Sequence, residues 1–108
     1  MILVTTDDIS HKNVVKSLGL VKGNTIRARN IGRDIIAVIK NLLGGEIEEY
    51  TNLLAQSREQ AIDRMISEAE KLGANAVVGI RFSTSYIMQS AAEIMVYGTA
   101  VIVEDDKK

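Results

Sequence analysis

Cysteine, proline and tryptophan are absent from this chain of 108 residues, which carries a single phenylalanine and a single histidine. Without cysteine there is no disulfide, no thiolate nucleophile and no sulfur-rich metal site. One imidazole, His11, excludes any multi-histidine site within one subunit, so that only symmetric copies would supply a second. No apolar run approaches the roughly 20 residues of a membrane helix. Met1-Ile2-Leu3-Val4-Thr5-Thr6 reads as a strand that begins at once rather than as a signal peptide. A cytoplasmic protein with no membrane partner is therefore expected. The formal net charge of -1 removes the electrostatic case for nucleic acid. What remains is 46% apolar and 25% charged, the balance of one folded domain. We place that domain at residues 1–104, with 105–108 as a frayed, charged C-terminal tail.

Along the chain the hydrophobic period changes twice. Ile2 to Thr6 is short and β-branched and ends at Asp7-Asp8, which suits a turn. Val14 to Leu20 is a second extended stretch, in which Gly19 marks a bulge or bend. Gly23-Asn24 carries a turn signal, and Thr25 to Arg29 alternates as a half-buried strand does. From Gly32 the spacing becomes helical through Ile35, Ile39, Leu42 and Leu43, stopping at Gly44-Gly45. A longer helix follows, with Ile47, Tyr50, Leu54, Ala61, Met65, Ala69 and Leu72 along one stripe. Lys71 and Gly73 close it. Ala74 to Ser83 and Glu93 to Val103 then read as two strands of a hairpin, joined by a polar connection around Met88-Gln89-Ser90-Ala91. The expected fold is α+β, an antiparallel sheet with two helices on one face, in β-β-α-α-β-β order.

Side chains of a strand alternate between faces. One set of the hairpin, Val78, Ile80, Phe82, Ile94, Val96, Gly98, Ala100 and Ile102, forms the face the helices cover. The other holds Val77, Gly79, Arg81, Ser83, Glu93, Met95, Tyr97, Thr99, Val101 and Val103. This mixed face is too apolar to stand bare, and two helices on one side leave it open. A second copy of the chain is the simplest cover.

Few residues carry chemistry. Asp7, Asp8 and His11 offer oxygen and imidazole donors and are the candidate metal ligands, set against the plainer reading of a polar turn. Arg81, Glu93, Tyr97 and Thr99 lie on the mixed face, either as an ion pair within the sheet or as the lining of a pocket between subunits. Arg58 falls beside the helix stripe between Leu54 and Ala61, where a guanidinium needs a partner. Arg64 and Glu68, four apart, are spaced to pair on the helix. There is no G-x-G-x-x-G, no G-x-x-x-x-G-K-[ST] and no nucleophile elbow. Nothing supports a catalytic residue, and nothing identifies a cofactor.

Gly73-Ala74-Asn75-Ala76-Val77-Val78-Gly79, preceded by Arg58, Ala61, Met65 and Ala69 and followed by Tyr97-Gly98-Thr99-Ala100-Val101, resembles the YbjQ-like family. Thr5-Thr6, Gly19-Leu20-Val21-Lys22-Gly23 and Gly44-Gly45-Glu46 extend the likeness over nearly the whole chain, from about Ile2 to Val103. The resemblance implies a homopentamer with a β/α-propeller-like arrangement, from a family uncharacterised in function and often labelled as heavy-metal-binding. The first expectation is a homo-oligomeric, non-catalytic binding protein of unidentified ligand, its partner being itself. The alternatives are a metal-binding protein, and an enzyme with a carboxylate and arginine site at a subunit boundary.

Overall fold

Nothing in a chain without proline interrupts a long helix or strand, and most of this one is spent on a few long elements. A computed structural model describes residues 1–27, 47–88 and 91–106. Strand β1 is Ile2–Leu3 and β2 is Lys12–Arg27. Helix α1 runs over Ile47–Lys71, and strands β3 (Ala76–Met88) and β4 (Ala91–Asp105) follow. The helix expected across Ile35 to Leu43, the strand end at Ala28 and Arg29, and Gly44-Gly45 lie outside the described residues. So do residues 89 and 90 of the hairpin connection and the side chains of Ile47 and Tyr50 on the stripe. No helix of the described residues is long and apolar enough to cross a membrane.

The four strands form one sheet in the order β1-β3-β4-β2. Both β3–β4 and β4–β2 are antiparallel, as expected, but β1 runs parallel to β3. The sheet is therefore mixed. The backbone explains why: Ile2 N donates to Asn75 O, Val4 N to Val77 O and Gly79 N to Thr6 O, so the first residues zip along the outer edge of β3. Charged residues 105 and 106 are also less free than a frayed tail. Asp105 ends β4 opposite Lys12 and forms an ion pair with its ammonium, while Asp106 N donates to His11 O at 3.0 Å.

Gly23-Asn24 is not a turn. Strand β2 passes straight through both residues, pairing Gly23 with Val96 and Asn24 with Met95. The glycine answers to packing: a Cβ placed on it would stand 2.0 Å from Ala61 O and 2.5 Å from Met65 N. The helix backbone thus rests almost directly on the strand, which the small residues Ser57, Ala61 and Ala69 allow. These three and Met65 form the buried stripe of α1, and Leu72 lies exposed beyond it in the turn. Gly73, at φ +86°, ends the helix, with Gly73 N donating to Glu70 O and Ala74 N to Ala69 O.

Four one-residue slips interrupt the ladders, two on β2 and two on β3, the last of them between Tyr86 and Met88. Register slips between Val14 and Lys16 and between Ser17 and Gly19, where Gly19 takes φ +106°, as the bulge reading of that glycine expects. A third slip, between Val78 and Arg81 at Gly79 (φ +64°), reverses the alternation of β3. Val77 thereby joins Ile80 in the cluster under α1, with Val21, Val96 and Ala100. Val78 moves to the opposite side, with Ala76, Val101 and Val103, against which Ile2, Val4 and Ile9 pack. The face set expected for β3 is thus corrected at Val77 and Val78. Phe82 keeps the α1 side through its pairing with Val96, yet is 47% exposed, because α1 lies over β2 and β4.

Asn75 gives the glycine-flanked motif a structural role. Its Nδ2 donates to Val103 O at 3.0 Å and its Oδ1 accepts from Val103 N at 2.8 Å, so the side chain continues the ladder where β3 has not yet begun. Asn75→Ala strands both backbone groups, and is expected to cost about 1–3 kcal/mol in a denaturant titration.

Candidate functional site

Two faces of the sheet have different fates. Helix α1 covers one, and on the other the N-terminal segment covers only the end near Val101 and Val103. Among the described residues nothing covers the remainder of that second face, and register assigns its residues to rows across β2, β4 and β3. Leu20, Thr99 and Val78 form one row, Lys22, Tyr97 and Arg81 the next. Asn24, Met95 and Ser83 follow, and then the backbone positions of Ile26, Glu93 and Ser85.

Arg81, Tyr97 and Thr99 thus lie in adjacent rows. Glu93 does not share their place: four residues along β4 from Tyr97, it stands about 13 Å away at the usual strand rise. It also accepts a hydrogen bond from Asn24 Nδ2 at 2.9 Å. Arg81 and Glu93 therefore make no ion pair in the sheet. Arg81 is held instead by carbonyls: Nη1 donates to Thr5 O and to Ile80 O, each at 2.8 Å. Thr5 belongs to the segment that zips along β3, so that segment fixes the guanidinium.

Arg58 is exposed on α1, across the sheet from this row. It is not beside Arg81, because the buried side of the helix is the Ser57, Ala61, Met65 and Ala69 stripe. Arg64 and Glu68 do not pair with each other. Arg64 Nη1 donates to Asn24 O, and Glu68 Oε1 accepts from Lys22 N at 3.3 Å. Both side chains reach to the outer edge of β2 and satisfy its backbone.

Asp7, Asp8 and His11 are exposed in the turn between β1 and β2. Thr6 Oγ1 donates to Asp8 O, Lys12 N donates to Ile9 O, and His11 adopts φ 63°. Among the described residues no three His, Cys, Asp or Glu side chains are grouped to hold a metal ion. Soft heavy metals select thiolate, thioether and imidazole donors. The chain offers no thiolate, one imidazole and four thioethers, of which Met65 is fully buried under α1. Asp7, Asp8 and His11 alone therefore do not make a donor set for a soft metal within one protomer.

Sequence reasoning missed Leu20, Lys22 and Asn24 as members of the open face. Their signal lies only in the pairing of β2 with β4, which a turn at Gly23-Asn24 hides.

Comparison with known proteins places the chain among relatives of matching length. A family model described as "Putative heavy-metal-binding" matches residues 1–104. A UPF0145 protein of Dehalococcoides mccartyi is 58% identical over 104 residues, covering 96% of this chain and all of the relative. A UPF0145 protein of Archaeoglobus fulgidus is 54% identical over 101 residues, covering 94% of each. A crystal structure of a protein of unknown function from Pediococcus pentosaceus, of the DUF74 family, superposes with a TM-score of 0.64. It is 15% identical and covers 96% of this chain and 98% of that one, a likeness of fold.

Proposed function

The chain belongs to the YbjQ family, and from that premise we propose that it assembles with copies of itself and binds a small ligand without transforming it. The ligand lies on the open sheet face, at the Arg81, Tyr97 and Thr99 end, and the neighbouring copy covers it. Five is the number of subunits that the resemblance implies, and the absence of cysteine supports a cytoplasmic setting.

One observation carries this reading. The protomer is a long, thin body of 60 × 23 × 17 Å with a radius of gyration of 17.5 Å, whereas a compact chain of this length has about 13 Å. Much of that length is the β3–β4 hairpin with β2 beside it, and on the uncovered face Leu20 of β2, 67% exposed, stands opposite Thr99 and one row from Tyr97. A large exposed apolar side chain such as Leu20 on a mixed face of this kind supports coverage by a neighbouring copy.

Native mass spectrometry of untagged protein from its own host reports subunit count and retained small molecules together. A single oligomer with a non-covalent adduct is the expected spectrum. A monomer at micromolar concentration overturns the assembly. An oligomer that never carries an adduct overturns the binding role.

A further inference from the structure

We propose that the Lys22–Tyr97–Arg81 row is a binding site for a small oxyanion, a phosphate or carboxylate carried on a flat ring. The proposal rests on the reading that this face binds a small ligand, and it names the ligand's chemistry.

The row alternates cation, aromatic ring and cation across three neighbouring strands, all on the open face. At the usual strand spacing the Cα atoms of Lys22 and Arg81 are about 10 Å apart; Nη1 of Arg81 is anchored on the Thr5 side, at the outer edge of β3, so Lys22 is the side chain that reaches across Tyr97. Arg81 is already positioned. With Nη1 committed to Thr5 O and Ile80 O, its Nε and Nη2 remain as the paired donors that match two oxygens of a carboxylate or phosphate.

Among the described residues neither cation is in an ion pair, although the Asp7 carboxylate lies beside Gly79, two residues from Arg81. The ion pair of the described residues is Lys12 with Asp105, remote from this row, and the carboxylate of the same face, Glu93, is engaged by Asn24 about 13 Å along the strand. The Tyr97 ring stands between the charges as a surface on which a planar group can lie. Thr99 supplies a hydroxyl in the next row. A cation would meet two positive charges here, so the site selects for negative charge, the opposite of a metal site.

The test is calorimetric titration, at low salt, of the purified protein with phenyl phosphate, benzoate and inorganic phosphate, with light scattering on every sample. Expected is saturable binding of phenyl phosphate or benzoate, tighter than inorganic phosphate, the better of the two identifying which oxyanion is preferred. Arg81→Gln weakens it by about tenfold or more, and Arg81→Lys by less, since the charge remains and the paired donors do not. Tyr97→Leu removes the advantage of the ring-bearing probes, and Lys22→Gln weakens all of them. Arg58→Gln, on the far side of the sheet, leaves binding unchanged.

Absence of saturable binding in the wild type, an unaffected Arg81→Gln protein, or an equal loss in Arg58→Gln overturns the oxyanion site. So does a change of subunit number in Arg81→Gln and Arg81→Lys alike, which makes Arg81 a subunit contact. An assembled protein that binds none of the probes removes this site and leaves the assembly standing. Retained binding by a monomer removes the assembly and leaves the site.

Discussion

Gly23→Ala lowers the melting temperature by about 12–24 °C, the largest stability loss expected from a single methyl group at the glycines of the described residues. Adding bulk to a packed interior costs about 1–3 kcal/mol when neighbours can yield. Here they cannot: the new carbon would lie 2.0 Å from a helix carbonyl and 2.5 Å from a helix amide nitrogen. Relief requires α1 to lift from β2, which separates Val21 from Met65 and loosens Arg64 and Glu68 from the strand edge. The upper end of that range, about 3 kcal/mol, converts to about 12–24 °C for a domain of this size. Differential scanning calorimetry measures it. Gly19→Ala is the contrast, because nothing lies within 4 Å of a Cβ there and only the φ of +106° is strained. Equal losses at Gly19 and Gly23 would show that backbone conformation, and not helix approach, sets the Gly23 requirement.

The same glycine shows what was legible in the sequence. The period of α1 and its end at Gly73 follow from local rules of spacing and capping, and both match Ile47–Lys71. Gly23 obeys no local rule. A glycine followed by asparagine signals a turn when the chain is read alone, and a flat strand under a helix when the helix is placed. Gly79 hides its meaning differently. One extra residue there exchanges Val77 and Val78 between faces, and strict alternation has no means of foreseeing it. Of the site, Arg81, Tyr97 and Thr99 were visible because β3 and β4 are neighbours in sequence, while Lys22 and Leu20 come from a strand roughly seventy residues away. Glu93 was grouped with them by face alone, and distance along the strand separates it.

On the proposed assembly, Leu20→Glu separates the copies into monomers while the protomer keeps its stability. The two effects separate because Leu20 is 67% exposed in the protomer, so its replacement removes almost nothing from the fold. Burying a leucine in an interface contributes about 1.5–3 kcal/mol, and a carboxylate forced into the same place adds a desolvation cost. The dissociation constant of each subunit contact therefore rises by about 10- to 100-fold or more, since about 1.4 kcal/mol is tenfold. Light scattering across a dilution series reads the subunit number, and circular dichroism the retained fold. Thr84→Glu, an exposed position of β3 on the α1 side, is the control and leaves the subunit number unchanged. An undiminished oligomer in Leu20→Glu places the subunit contact elsewhere than this face.

Arg64 and Glu68 have a consequence for how copies of the chain can join. An unpaired strand border is a template for further strands, and among the described residues the outer border of β2 has no strand beside it. Two side chains of α1 occupy the Lys22 amide and the Asn24 carbonyl on that border. An incoming strand would have to displace both before it could run the length of β2. The helix thus blocks strand-on-strand growth at this border, which leaves side chains on the sheet surface for the contact between copies proposed above.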